Sequence, residues 1–302
     1  MRIKDILMYM LQQNRNGVLI MGKGISKFIK KVMFAPVVTG IGYLFAIMPR
    51  MMGRPTFELI EKKRLYAHRG LYDNKTDAPE NSMKAFKKAV DAGFGIELDV
   101  QLTKDERVVV FHDFSLKRMC NVDKKVNELT YAELSKLTLL DTDCRIPLFE
   151  DVLELVNGKV PLIIEYKLPS FKTDVCEIVD EMLQYYNGSY CIESFHPMAV
   201  LWYRIKRPEV VRGILSSDYV ATGDVEDNSP LVMSMSKNLL FNFIIRPDFV
   251  AYDSRFFTNP SRQICKKWFK APSVAWTIKS QKELELRKDD YDVFIFEGFI
   301  PE

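Results

Sequence analysis

The stretch 95–113 reads GIELDVQLTKDERVVVFHD, and it decides the fold. In its first half, apolar residues alternate with Glu97 and Asp99, so both carboxylates face the same side of a β-strand. Because the flanking positions are apolar, the pattern favours a buried polar face over an exposed charged pair. Only residues 101–107 join this strand to the next apolar run, which is too short for a crossover helix. We therefore predict that the chain turns at 104–107 and returns as a strand that brings His112 beside the first one.

Short apolar runs and helical patterns alternate from residue 65 to the end of the chain. This alternation is typical of a parallel sheet with crossover helices, and 302 residues fit one α/β barrel with an extension. We predict a distorted (β/α)8 TIM barrel. The strand candidates are 65–68, 95–100, 108–112, 162–166, 190–194, 211–215, 249–252, 273–277 and 293–296. They exceed the eight of a barrel by one, so we expect 293–296 or one of the middle candidates to lie outside it.

Polar residues stand at the ends of the predicted strands. His68 and Arg69 end the first strand, and Glu165 and Lys167 end the fourth. Trp276 lies near the end of the eighth, 273–277. In a TIM barrel the carboxyl ends of the strands build the active site. We therefore expect these side chains to meet at one mouth.

Three carboxylates, Glu97, Asp99 and Glu165, are the candidate metal ligands. Two inward carboxylates on one strand would repel each other unless they were protonated or bound to a cation. The five cysteines have irregular spacings and the chain has only three histidines, so no zinc-finger pattern is present. The sequence thus predicts a hard divalent ion, Mg²⁺ or Ca²⁺, rather than zinc.

Two of the three histidines are candidate catalytic groups. His68 and His112 each end a predicted strand, and each precedes a polar partner, Arg69 or Asp113. An imidazole titrates near neutral pH and can act as a general acid or base. His196 follows a strand as well, but a structural position in a loop is the favoured interpretation.

The basic residues concentrate in the N-terminal arm. Residues 1–63 contain 11 of the 43 Lys and Arg residues but only 3 of the 40 Asp and Glu residues. The remainder is net acidic, which speaks against nucleic acid as a partner. We expect residues 1–62 to form an extension, and 63–302 to form the barrel domain.

Within this arm, residues 32–49 carry no charge and follow several lysines. Three interpretations stay open for them: a single-pass or interfacial membrane anchor, a signal peptide, and a helix packed on the soluble domain. We favour the anchor, because a basic flank beside an apolar run suits a membrane interface. The predicted protein is therefore membrane-associated, with the side of the membrane left open.

A series of motifs resembles the glycerophosphodiester phosphodiesterase family. The resemblance covers about residues 63–302, and the order of the motifs makes it specific. The motifs are AHRG (67–70), PENSMKAF (79–86), GIELDVQLTKD (95–105), VVFHD (109–113), NELTYAELSKL (127–137), IPLFEDVLELV (146–156), LIIEYK (162–167), ESFHP (193–197) and VAWTI (274–278).

The resemblance implies a TIM barrel that hydrolyses a small-molecule or lipid-derived phosphodiester to glycerol phosphate and an alcohol. It also implies a divalent cation held by Glu97, Asp99 and Glu165. By the same resemblance, His68 and His112 act as general acid and base, and Arg69 and Lys167 hold the phosphate. The alternatives are a phospholipase D- or C-like barrel that acts on a lipid headgroup, and an inactive membrane-tethered binding protein.

Some positions remain open or depart from the family pattern. Glu80 either faces the site or caps the following helix, and Trp276 is either an apolar wall for the glycerol moiety or part of the core. Glu106 replaces the usual turn glycine. The C-terminal stretch 294–302, FIFEGFIPE, replaces a Thr-Asp before proline, so we expect the barrel closure or rim to differ there.

Overall fold

The structure is a computed structural model that describes residues 40–55, 65–223 and 229–302. Nine strands form one sheet. In chain order they are β1 Leu65–His68, β2 Gly95–Leu102, β3 Val108–Val110, β4 Leu162–Tyr166, β5 Tyr190–Ser194, β6 Arg212–Ser216, β7 Phe249–Asp253, β8 Ser273–Ile278 and β9 Val293–Phe296.

Eight of these strands close into a parallel barrel. The order around it is β1-β9-β8-β7-β6-β5-β4-β2, and β2 pairs in turn with β1. The predicted TIM barrel is therefore confirmed. The expectation that 293–296 or a middle strand lies outside the barrel is wrong, because β9 pairs with both β8 and β1 and closes the sheet. The additional strand is β3.

Strand β3 is the return strand that the sequence predicts. It pairs with β2 in antiparallel orientation, with Val110 opposite Val100 and Val108 opposite Leu102. Glu106 makes the turn with a φ of 60°, in the left-handed region where a glycine is usual. Because β3 extends only the end of β2, it lies at the rim and takes no place in the barrel wall.

Helices surround the barrel and connect most of its strands. The longer helices present one apolar face to the sheet, as crossover helices do. They are α1 Gly40–Ala46, α2 Met83–Ala92, α3 Lys117–Cys120, α4 Tyr131–Leu134, α5 Phe149–Val156, α6 Asp174–Leu183, α7 Pro197–Lys206, α8 Tyr219–Thr222, α9 Pro230–Lys237, α10 Asn242–Ile245, α11 Pro260–Lys267 and α12 Gln281–Arg287, with 3₁₀ turns at Val126–Glu128 and Ser254–Phe256.

Successive side chains on a strand point to opposite faces of the sheet, so the buried side chains form one layer beneath the helices and one inside the barrel. On β4, Ile164 packs outward beneath the helices, whereas Ile163 points into the barrel. Inside the barrel, Phe249 lies over Gly213, where a Cβ would come within 2.1 Å of the phenyl ring. Glu165 shares the inward face with Ile163, two residues closer to the rim, so the same alternation that fills the barrel places polar groups at its mouth.

The described part of the N-terminal arm packs on the outside of the barrel. Ile47 is fully buried, and its carbonyl oxygen accepts a hydrogen bond of 2.9 Å from Asn242 Nδ2. Arg50 donates to the carbonyl oxygen of Pro208 over 2.7 Å and pairs with Asp248 over 3.5 Å. Pro208 and Asp248 precede β6 and β7, so this contact lies at the end of the barrel opposite the carboxyl ends of the strands.

This packing bears on the apolar run 32–49. Residues 40–49 agree with the interpretation of a helix packed on the soluble domain, whereas residues 1–39 lie outside the described part of the chain, as does the predicted domain boundary at 62–63. Among the described residues, none of the helices has the length and hydropathy needed to cross a bilayer.

We predict that Ile47→Ala lowers the free energy of unfolding by about 2–4 kcal/mol, because it removes a buried aliphatic side chain from the layer between helices and barrel. Urea unfolding of the full chain, followed by circular dichroism, measures this. The matched control is Ile41→Ala, since Ile41 is 83% exposed on the same segment. Equal stability of the two variants would show that the segment does not contribute to the domain.

Candidate active site

A cavity of about 700 Å³ opens at the carboxyl ends of the barrel strands. The structure brings most of the predicted site residues to this mouth. Those lining the cavity include His68, Arg69, Glu80, Glu97, His112, Glu165 and Trp276. Asp99 and Lys167 lie below these residues. Asp99 contacts Arg69, and Lys167 contacts Glu165.

Three buried carboxylates form the floor of the site. One oxygen each from Glu97, Asp99 and Glu165 lies within 4.8 Å of the other two. Asp99 stands opposite Glu165 in the parallel register of β2 and β4, and Glu97 is two residues earlier on the same face. The cluster therefore follows from strand alternation and from the pairing of β2 with β4.

Two cations compensate the charge of this cluster. Lys167 Nζ lies 2.6 Å from Glu165 Oε1 and 3.1 Å from Asp99 Oδ1. Arg69 Nε lies 3.6 Å from Asp99 Oδ2, and the Arg69 backbone amide donates to Glu97 Oε2 over 3.0 Å. Asn81 Nδ2 adds a hydrogen bond of 2.8 Å to Asp99 Oδ2.

The pKa values show that this compensation is incomplete. Burial raises the pKa of Glu97 well above its usual value, and the neighbouring carboxylates of Asp99 and Glu165 raise it further. Burial also raises the pKa of Glu165 to about 7, against the opposing effect of Lys167. For Asp99, the penalty of burial is outweighed by Lys167, His112 and Arg69, which hold its pKa below the usual range. Without more positive charge, the three groups therefore do not all ionise at neutral pH.

The donor set fits a hard divalent cation. Asp99 Oδ1 and Glu165 Oε1 are buried and accept no aligned hydrogen bond, although the Lys167 ammonium lies close to both. Carboxylate oxygens are the ligands that Mg²⁺ and Ca²⁺ prefer. Three protein ligands would leave coordination positions for water or substrate oxygens.

Each of the two predicted catalytic histidines has a carboxylate on its Nδ1 atom. His68 Nδ1 lies 2.5 Å from Glu297 Oε2, and His112 Nδ1 lies 2.7 Å from Asp113 Oδ1. Burial raises the pKa of each carboxyl group, but the hydrogen bond from its histidine, together with Lys279 beside Glu297 and Arg118 beside Asp113, lowers it on balance. An ionised carboxylate only accepts hydrogen bonds, so Nδ1 carries the proton in both rings and Nε2 keeps its lone pair.

Burial favours the neutral form of both rings. It lowers the pKa of His68, and together with the nearby Lys167 it lowers the pKa of His112 to about 4. Two neutral imidazoles with free Nε2 atoms therefore border the carboxylate cluster, and His68 Nε2 lies 3.8 Å from Glu97 Oε2.

The comparisons with known proteins agree with this geometry. A model of the glycerophosphoryl diester phosphodiesterase family matches residues 68–251. The chain belongs to this family. The chain is 33% identical over 178 residues, 54% of its length, to a glycerophosphodiester phosphodiesterase of Bacillus altitudinis, of which it covers 70%. It is also 42% identical over 102 residues to a lysophospholipase D of Rattus norvegicus, which is 30% of this chain and 32% of that one.

Among solved structures, a phosphodiesterase of Oleispira antarctica in complex with the product sn-glycerol-3-phosphate has the same fold. The TM-score is 0.61 at 22% identity, over 78% of this chain and 92% of that one. The predicted family is thereby confirmed, and this member is a phosphoric diester hydrolase of the glycerophosphodiester type.

In this phosphodiesterase, Glu80 faces the site. It accepts from Arg69 Nη1 over 2.6 Å and from Arg118 Nη2 over 2.7 Å. The alternative of a helix cap is wrong, because the N-cap of α2 is Ser82, whose Oγ accepts from Ala85 N. Glu80 therefore fixes the guanidinium group of Arg69 at the cavity.

Two further residues considered from the sequence are Trp276 and His196. Trp276 lines the cavity and meets Phe195 edge to face, with ring centroids 5.2 Å apart, which supports a wall rather than a core position. His196 is not among the residues that line this cavity. Its Nδ1 accepts from Met198 N and caps α7, as the structural interpretation expects.

Four residues at the site escaped the sequence-based prediction. Glu297 follows β9 and was noted only as part of an unusual C-terminal stretch. Arg118 joins Asp113 to Glu80, with Nε 2.7 Å from Asp113 Oδ2, and Tyr72 donates to Glu297 over 2.9 Å. Glu193 stands opposite Glu165 in β5 and is buried beside the cavity. A carboxylate at the end of an apolar strand was the available signal for Glu193 and Glu297.

Proposed function

We propose that this chain hydrolyses glycerophosphodiesters to glycerol phosphate and an alcohol with the aid of Mg²⁺ or Ca²⁺ held by Glu97, Asp99 and Glu165. The observation that supports the proposal is the buried carboxylate cluster directly beside two neutral imidazoles at one cavity. When bound, the cation would stabilise the negative charge on the phosphoryl oxygens.

The basic side chains bind and orient the phosphate. Arg69 is held by Glu80, and Lys167 points from the end of β4 into the carboxylate cluster. Phosphodiester cleavage increases negative charge on the phosphoryl oxygens, and preorganised cations in a buried site stabilise it more than they would in water. Lys167 would exchange part of its contact with Asp99 and Glu165 for the substrate phosphate once the divalent cation neutralises them.

His68 and His112 move the protons. The unprotonated Nε2 of one ring accepts a proton from the attacking oxygen, and the other ring donates one to the leaving alkoxide. The donor ring must first be protonated. A bound anionic diester favours this, because a nearby negative charge raises the pKa of an imidazole.

We predict that His68→Ala lowers the release of glycerol phosphate about 100- to 10,000-fold, the range typical for loss of a general acid or base. Glu97→Gln and addition of a chelator are each expected to abolish most turnover. The assay uses several water-soluble glycerophosphodiesters. Glu150→Gln is the control, because Glu150 is exposed and pairs with Arg107 at the surface.

A thermal unfolding scan separates the two roles. Added Mg²⁺ or Ca²⁺ should raise the melting temperature of the wild type and of His68→Ala, but not of Glu97→Gln, because a ligand stabilises only a folded state that binds it. Wild-type turnover in His68→Ala, or an undiminished shift in Glu97→Gln, would refute the corresponding role.

A second cavity favours a further substrate class, diesters of the lysophospholipid type with an acyl chain on the glycerol. It has a volume of about 290 Å³ and shares Glu165 and Phe195 with the first cavity. Most of its wall is apolar. The apolar side chains are Phe114, Leu168, Phe171, Val232, Met233 and Phe241.

Two polar side chains in this wall, Ser194 and His196, are already paired within the protein. Ser194 Oγ donates to the carbonyl oxygen of Tyr166 over 2.6 Å, and His196 Nδ1 accepts from Met198 N. A cavity of this kind favours an apolar ligand, and each buried methylene contributes about 0.8 kcal/mol. The lysophospholipase D among the relatives is consistent with such a substrate.

We predict that a diester with an octanoyl chain on its glycerol has a kcat/KM at least about tenfold above that of the same diester without the chain. Met233→Trp should remove this preference by filling the cavity while leaving the unacylated diester unaffected. Leu231→Trp is the control, since Leu231 is 46% exposed on the same helix, α9. Equal kcat/KM for both diesters in the wild type would rule out the acyl site.

We also propose that the N-terminal arm attaches the enzyme to a membrane. The excess of Lys and Arg in residues 1–63 supports attraction to anionic lipids, and 32–39 provides uncharged chain before the packed segment. The full chain should sediment with membranes and require detergent for release, whereas residues 40–302 should stay in the supernatant. A full chain that remains soluble without detergent would contradict the attachment.

A further inference from the structure

We infer that Glu297 is a positioning residue for His68: its carboxylate fixes the proton on Nδ1 and directs Nε2 toward the carboxylate cluster. The inference rests on the proposed role of His68 in proton transfer. It concerns the C-terminal stretch in which this chain departs from the pattern that its family resemblance implies.

The position of Glu297 follows from barrel closure. Strand β9 pairs with β1 in parallel register, with Phe296 opposite Ala67. The next residue on each strand is therefore a neighbour of the other, and Glu297 meets His68 across the closing pair. The contact between His68 Nδ1 and Glu297 Oε2 measures 2.5 Å.

Both oxygens of the Glu297 carboxylate are held by other groups. Oε2 also accepts from the Tyr72 hydroxyl over 2.9 Å, and Oε1 lies 2.9 Å from Lys279 Nζ. The backbone amide of Glu297 donates to the carbonyl oxygen of Ile278 over 3.0 Å, which fixes the chain itself. Two groups thus hold the carboxylate, the backbone bond fixes the chain, and Oε2 faces His68 as an acceptor.

This arrangement repeats at the second histidine. Asp113 accepts from His112 Nδ1, and Arg118 holds Asp113 as Lys279 holds Glu297. The two rings thus have equivalent carboxylate partners although the partners come from different parts of the chain, the residue after His112 and the end of β9. A carboxylate in this position selects one tautomer and stabilises the imidazolium formed during proton transfer.

The variant Glu297→Gln tests the inference because it keeps the shape and changes the donor pattern. The Lys279 ammonium can only donate hydrogen bonds, so the amide oxygen of the new Gln side chain is expected to face Lys279. The amide nitrogen then faces His68 and donates to Nδ1, which selects the tautomer with the proton on Nε2. That tautomer presents a proton, rather than a lone pair, to the cavity.

The first measurement is the nitrogen NMR spectrum of ¹⁵N-histidine-labelled full-length protein. The chain has only three histidines, and the spectrum of His68→Ala assigns the His68 signals. We expect the Nδ1-protonated tautomer in the wild type and the Nε2-protonated tautomer in Glu297→Gln. Glu285→Gln is the matched control, because Glu285 lies exposed on α12 and pairs with Lys288.

The second measurement is steady-state kinetics on a water-soluble glycerophosphodiester. In Glu297→Gln, kcat should fall about 100- to 10,000-fold while KM changes less than about threefold. Glu297→Asp, which restores an acceptor, should recover part of kcat. A wild-type tautomer in Glu297→Gln, or a kcat within about threefold of the wild type, would overturn the inference.

The two measurements also separate this inference from the proposed function. If the wild type releases no glycerol phosphate, the proposed function fails, but the NMR spectrum still reports whether Glu297 sets the tautomer of His68. A normal wild-type rate with an unchanged tautomer in Glu297→Gln would refute the inference alone.

Discussion

The site depends on the electrostatic cost of burying three carboxylates within 4.8 Å of one another. Charged groups removed from water are stable only when opposite charges or hydrogen bonds replace the solvent. Lys167, Arg69 and Asn81 supply part of this compensation in the described structure. The remaining deficit is seen in the raised pKa values of Glu97 and Glu165, so additional positive charge at this rim would stabilise the cluster.

The same closed barrel organises the two imidazoles at the cavity. His68 and His112 approach the cluster from β1 and from the segment after β3, and each has a carboxylate behind it. Because the carboxylates accept on the Nδ1 side, the reactive nitrogens face the cavity. Arg118 and Glu80 then link His112 and its partner Asp113 to Arg69, so an imidazole and a guanidinium group at the cavity share one network.

The opposite end of the barrel has a structural contact of its own. Residues 40–55 run along the outside of the barrel, and Arg50 is fixed near the start of β6 and β7 by Pro208 and Asp248. This segment therefore packs on the barrel wall away from the cavity mouth. The apolar run 32–49 therefore contains residues in two different environments. Ile47 is buried in the domain, whereas Ile41 is exposed.

The sequence by itself determined the elements that depend on neighbours in the chain. Alternation placed Glu97 and Asp99 on one strand face, and the short link 101–107 determined the return of β3. The tertiary structure alone decided that β9 closes the barrel and that Glu297 meets His68, 229 residues away in the chain. It also decided that Glu80 binds Arg69 and Arg118. Such contacts depend on which strands become neighbours on closure, and strand periodicity records only the face of a residue, not its partner.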